Sequence, residues 1–203
     1  MAPVTPHQPP SPARLARLRS AVETLLEAEG ASFTELSIGA ICAEAGISRP
    51  TFYSHFEDKL DLVRALAAGT IGELVDVLQP WLGAPATTRE ELEQAMADLF
   101  SAYAPHRHVL AAAAEVASYD PELQDRFTAA VELAASRVSE HIAQGQREGR
   151  IRPGLDATET GRWLGWMTEG GMRRAFANRA IAARSDIAAI TDVHWFTLYA
   201  GVG

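Results

Sequence analysis

The side chains best suited by type and spacing to do chemistry lie between Ser37 and Lys59, in the string SIGAICAEAGISRPTFYSHFEDK. Arg49, Thr51, Tyr53 and His55 follow one another closely there. A guanidinium can make paired hydrogen bonds to guanine O6 and N7 or neutralise a phosphate. Thr51 offers a hydroxyl to phosphate and a methyl to thymine. Tyr53 and His55 offer donors to phosphate oxygens, and Lys59 adds a point charge. This is the chemistry of nucleic-acid recognition. Catalytic framing is missing, since no G-x-S-x-G elbow or phosphate-cradling glycine loop occurs. His106 and His108 could begin a metal pair, but they follow Pro105 at a helix start and have only Glu115 as a third ligand on that helix. The reading therefore assigns no catalytic residue, no metal and no cofactor.

Two short helices must hold these side chains. Ser37 caps a helix over 38–45 that Gly46 ends, and Ser48 caps a second from Arg49 to about Phe56, with Pro50 in its first turn. The turn Ala45-Gly46-Ile47-Ser48 makes the pair a helix-turn-helix, whose second helix enters a DNA major groove. Phe52 and Phe56, at i and i+4, form the face that packs on Leu18, Val22 and Ile41. The opposite face presents Arg49, Pro50, Thr51, Tyr53 and, at its edge, His55. The helix opened by Ser37 can hold a phosphate on its own free N–H groups. Cys42 reads as a small buried hydrophobe.

The remainder is helical as well, and the fold class is all-α with about nine helices. Residues 1–10 contain four prolines and read as a disordered arm. Ser11-Pro12 opens a helix that runs to Gly30, and Asp58 opens a long one that ends near Gly83. Thr88–Glu91 is a capping box for a helix stopping before Pro105, and 106–117 is a short helix. Asp120-Pro121 starts a helix to Gly149. Asp156–Glu159 reads as a second capping box, for a helix to about Asn178, and Ser185 caps the last, over 186–201. The domains expected are the arm, a DNA-binding head over 11–57, and a ligand-binding and dimerisation domain over 58–203.

Composition bounds the alternatives. The chain has 203 residues, 47% of them hydrophobic, a single cysteine and a formal net charge of −8. One cysteine builds neither a disulfide framework nor a thiolate zinc site. No apolar run is long enough for a membrane span, and the N-terminal stretch has no apolar core of a secretory signal, so a soluble cytoplasmic protein is expected. The acidic balance argues against indiscriminate coating of nucleic acid. Residues 1–20 nevertheless carry Arg14, Arg17 and Arg19 with no acid, and Lys59 is the only lysine.

The string A-G-I-S-R-P-T-F-Y-S-H-F-E-D-K resembles the signature of the TetR family, A-G-V-S-x-G-T-[LF]-Y-x-H-F-x-x-K. The resemblance implies a one-component transcriptional regulator, a repressor that binds a palindromic operator as a dimer and is released by a small hydrophobic effector. It places Ser37, Ser48, Arg49, Pro50, Thr51, Tyr53, His55 and Lys59 where the family touches DNA. Pro50 stands where most members have glycine. The string I-S-R-P-T-F-Y is instead similar to the subgroup of the ethionamide-resistance repressor, as is, more loosely, LGWMTEGGMRRAFA over 164–177.

Helical spacing puts Gly165, Thr168, Glu169 and Met172 on one face. In that subgroup the matching face lines the effector tunnel, together with positions matching Phe127, Val131 and Trp195. Phe100, Tyr103 and Trp166 are further candidates from the aromatic-rich C-terminal part. The family pairs its last two helices with those of a second copy, and Trp163, Trp166 and Gly170 recur at i, i+3 and i+7 for such a contact. The competing reading is a helical protein-interaction adaptor without DNA binding, which salt-sensitive DNA binding would exclude.

Overall fold

A computed structural model of the chain describes residues 9–29, 32–84, 87–177, 182 and 184–201. The expected arm lies outside the described residues except for its last two positions. The described residues form helices and no strand. In chain order these are α1 (Pro12–Glu29), α2 (Ile38–Glu44), α3 (Arg49–Tyr53), α4 (Lys59–Val77), α5 (Gln79–Leu82), α6 (Arg89–Tyr103), α7 (Arg107–Ala117), α8 (Pro121–Arg147), α9 (Ala157–Phe176) and α10 (Arg184–Leu198). Single 3-10 turns over Phe33–Glu35 and Ala104–His106 complete the set. Counting α5 as the end of α4 gives the expected nine. The sequence predicts one helix through this region, but Pro80 has no N–H for the i−4 carbonyl, and the helix breaks at Leu78.

The described residues within 1–69 and 108–124 form one compact unit, and those within 70–107 and 125–203 form a second. The sequence boundary after residue 57 is therefore not where packing divides the chain. Leu62, Val63 and Leu66 of α4 and Val109, Ala113 and Val116 of α7 share one core with Leu18, Val22, Ile41, Phe52 and Phe56. Burying these apolar side chains draws the start of α4 and all but the first residue of α7 into the first unit.

Capping chemistry explains most of the boundaries. Thr88 and Glu91 close both bonds of the expected box, at 3.2 and 2.8 Å. Asp156 accepts from the Glu159 N–H at 2.9 Å, but Glu159 pairs with Arg162 at 2.6 Å, so the second box is only half formed. Ser185 is not the cap of the last helix, because α10 has already begun at Arg184. The start of α7 uses a cap that no local pattern reveals. The Glu23 carboxylate of α1 accepts the N–H groups of His108 and Val109 at 3.2 and 2.9 Å.

In the second unit α9 closes tightly on α8. A Cβ on Gly161 would lie 2.7 Å from the Ser139 nitrogen and 2.9 Å from the Ala135 oxygen, and one on Gly165 would lie 3.1 Å from the Ala135 Cβ. A buried polar relay ties three further segments together. Trp81 Nε1–H donates to the Tyr199 hydroxyl at 3.2 Å, which donates to His141 Nε2 at 2.8 Å. His141 Nδ1–H donates to the Leu82 carbonyl at 2.9 Å. Burial holds the His141 pKa below that of a free imidazole, as this pattern for a neutral ring requires.

Candidate nucleic-acid interface

The helix-turn-helix forms as its sequence dictates. Ser37 accepts the Ala40 N–H at 3.1 Å to start α2, and Gly46, at φ 64°, ends it in the left-handed region. Ser48 accepts the Thr51 N–H at 3.2 Å to start α3, and its hydroxyl also meets the Thr51 hydroxyl at 2.8 Å. Phe52 and Phe56 are buried with ring centroids 5.3 Å apart, which fixes the roll of α3. Arg49, Pro50 and Tyr53 are left exposed, with Thr51 half-buried beside them. The Arg49 guanidinium lies over Gly39 of α2, where an added Cβ would approach Nη2 to 3.1 Å. Gly39 thus makes room for this side chain, a role that its sequence context does not signal.

Two of the eight expected DNA-contacting side chains are engaged otherwise. The Lys59 ammonium donates to the carbonyls of Phe33, Thr34 and Leu36 at 2.9, 2.7 and 2.7 Å. It also stands 5.1 Å from the Phe33 ring centroid. All three of its N–H donors hold the turn that leads into the Ser37 cap, so Lys59 offers no free point charge to a phosphate. Its pKa is lowered, chiefly by burial and against the pull of Glu115. His55 is half-buried, and its Nε2 accepts a hydrogen bond from Arg14 Nη1 of α1, so that nitrogen is not the donor expected from the sequence. The structure thus brings Arg14, which the sequence marks only as part of an acid-free stretch, beside His55.

The candidate ligand residues are dispersed. Phe100 and Tyr103 are buried against Phe176, with centroids 6.1 and 5.2 Å away. Val131 and Met172 are buried and Phe127 is half-buried. Gly165 packs against Ala135. Trp166 donates to Glu132 at 3.0 Å, and Glu169 pairs with Arg173 at 3.1 Å. Thr168 is buried and donates to the Leu164 carbonyl at 2.7 Å, with His194 Nε2 at 3.4 Å. Trp195 is half-buried with its ring 5.0 Å from that of Tyr199.

A cavity of about 550 Å³ opens between α9 and α10, with Phe100, Met167, Gly171, Arg174, Ile190 and Val193 among its walls. Of the expected set, only Phe100 lines it. The face bearing Gly165 and Thr168 is taken up by contact with α8 and by hydrogen bonds within the helix. The neighbouring stripe of Met167, Gly171 and Arg174 faces the space instead.

Comparison with known proteins agrees with both halves of the chain. Residues 23–66 match the family described as bacterial regulatory proteins, tetR family, and residues 92–200 match the C-terminal domain of the transcriptional regulator EthR. The HTH-type transcriptional regulator EthR of Mycolicibacterium smegmatis is 22% identical over 192 residues, covering 92% of this chain and 86% of that protein. The fatty acid metabolism regulator protein of Bacillus subtilis is 22% identical over 138 residues, covering 68% of this chain and 70% of its own. Among solved structures, the fatty acid degradation regulator FadR of Bacillus halodurans shares the fold, with a TM-score of 0.72 at 17% identity, over 94% of this chain and 96% of that one. None of the described helices is long and apolar enough to cross a membrane. With a helix-turn-helix head of one family model and more than half of its length in the other, the chain belongs to the TetR family and is a DNA-binding transcriptional regulator with a C-terminal domain of the EthR type.

Proposed function

We propose that this regulator is a cytoplasmic repressor that binds a palindromic operator as a homodimer and leaves it when a small hydrophobic effector enters the C-terminal domain. The observation that carries the reading is the exposed face of α3, where Arg49, Pro50 and Tyr53 stand clear on a helix rolled by buried Phe52 and Phe56. Ser37, Ser48 and Thr51 contribute hydroxyls and helix N-termini that suit phosphate contacts. Half-sites on the operator would lie ~34–36 Å apart, one turn of the duplex. Footprinting on DNA flanking the protein's own gene tests this reading directly. On the operator so found, Arg49→Ala should weaken binding and relax preference at one base pair by ~1–3 kcal/mol. A uniform loss over all sequences would show that Arg49 contacts only the backbone.

The dimer would form through α9 and α10. Trp163 on α9 and Phe196 on α10 are 68% and 61% exposed, more than a solvated helical hairpin should leave open. Gly170 is a clean probe, because nothing lies within 4 Å of a Cβ added there, so a larger residue is tolerated by the protomer itself. Gly170→Arg should give a folded monomer in sedimentation. A variant that remains dimeric would place the interface elsewhere.

The effector site we propose is the cavity between α9 and α10, whose size suits a small molecule. Phe100 links it to the Tyr103–Phe176 stack. The relatives concerned with fatty acid metabolism and degradation support an apolar ligand with a polar end, for which Arg174 at the wall is a partner. Bound there, the effector would act by preferring the state in which the two heads no longer match the operator, a coupling of typically ~1–3 kcal/mol.

A further inference from the structure

The strongest unexplained charge in the first unit lies on α1, outside the helix-turn-helix. Residues 1–22 contain Arg14, Arg17 and Arg19 and no acid, in a chain whose formal net charge is −8. The first turn of α1 has no acidic residue to offset its own positive end. Arg14 is half-buried, and Arg17 is exposed one turn further on the same side of the helix.

The hydrogen bond from Arg14 Nη1 to His55 Nε2 holds the guanidinium beside the end of α3. That contact leaves the charge of Arg14 uncompensated, because an imidazole nitrogen that accepts a hydrogen bond is neutral. No carboxylate pairs with Arg14 or Arg17 among the described residues, and Arg14 Nε has no hydrogen-bond partner. An arginine that is partly desolvated, positioned by a neutral neighbour and free of acids is arranged for an external anion.

We propose that Arg14 and Arg17 form a phosphate-binding surface that grips the operator backbone beyond the segment inserted in the major groove, with His55 as the residue that positions Arg14. The proposal rests on the DNA-binding reading above. It assigns His55 an indirect role: the histidine aims a cation at the backbone. The partner is the sugar-phosphate chain itself, so the grip is the same on any sequence.

Salt dependence isolates this contribution. Anisotropy titrations of a short fluorescein-labelled duplex of random sequence, and of DNA flanking the protein's own gene, should be run over a salt series. Each phosphate contact contributes ~0.9 to the slope of log K against log salt. Arg14→Gln/Arg17→Gln should flatten the slope by about two such steps on both duplexes with an unchanged melting temperature. Arg14→Gln alone should remove about one. His55→Ala keeps both charges but releases Arg14, and should weaken binding while flattening the slope by less than Arg14→Gln does. If Arg14 only clamps α1 to α3, Arg14→Gln and His55→Ala will lower the melting temperature alike and leave the slope untouched, and the proposal falls. An unchanged slope in a stably folded double variant also overturns it, and would leave the surface for an acidic protein. Failure of the unmodified protein to bind either duplex would instead overturn the DNA-binding reading as a whole.

Discussion

Gly161→Val should be among the most damaging single changes outside the DNA-binding head, lowering stability by about 3 kcal/mol, the upper end for overpacking. Where α9 meets α8, a Cβ at this position would crowd the Ser139 nitrogen at 2.7 Å and the Ala135 oxygen at 2.9 Å. Those are backbone atoms within a helix and cannot turn aside as a side chain would. The Ser139 hydroxyl, in the same place, is already bound to the Ala135 carbonyl at 2.9 Å.

Alanine makes the test quantitative. In an open helix Gly→Ala gains ~0.5–1 kcal/mol through reduced chain entropy, and Gly170, with no neighbour in reach, should show that gain. Gly161→Ala should destabilise despite the same intrinsic gain. Thermal melts of the two alanine variants side by side check the difference. Equal stabilisation at both positions would mean that α8 and α9 approach less closely than the structure shows.

The second large effect is expected at Lys59. Lys59→Met keeps the apolar stem over Phe33 but removes the three bonds to the 33–36 turn. Hydrogen bonds to a charged group contribute ~1.5–3 kcal/mol, and shared among three carbonyls a total loss of about 3 kcal/mol is expected. Operator affinity should fall with it, because the released turn carries the Ser37 cap and with it the start of α2. The salt slope of DNA binding should not change. A slope reduced by about one phosphate contact with an unaltered melting temperature would restore Lys59 to the phosphate-binding role that the family resemblance suggests.

The contrast between Ser37 and Lys59 shows which parts of this protein are legible in its sequence. Ser37, Gly46, Ser48 and the Thr88–Glu91 box act on backbone groups within a few residues, so type and spacing alone reveal them. The helical fold and its head follow from such signals together with the periodic apolar positions. Glu23 capping α7, Lys59 holding the 33–36 turn and Arg14 bound to His55 have partners far along the chain, and no local pattern marks them.

The pocket was legible only in part for a related reason. Periodicity identifies a face of α9 but not which neighbour claims it. The resemblance assigns the face of Gly165 to a ligand, whereas the missing side chain of Gly165 serves the approach of α8. The break before α5 was marked by Pro80, yet the apolar pattern continues through it. The resemblance to the family puts Arg49 and Tyr53 on the outer face of α3, and both are exposed there because exposure depends on the local roll of α3. It placed Lys59 less well, because the direction of a long side chain depends on what surrounds it.

That Lys59 is the only lysine, and lies clamped among carbonyls, has a consequence for covalent control. Acyl groups attach to lysine amines, and the exposed face of α3 carries Arg49, Pro50 and Tyr53 but no lysine. Lysine acylation therefore has no way to tune the affinity by removing one surface charge at a time. On Lys59 it would have to open the turn first, and the adduct would then prevent the turn from closing. For this regulator, lysine modification would be a binary event at the level of folding.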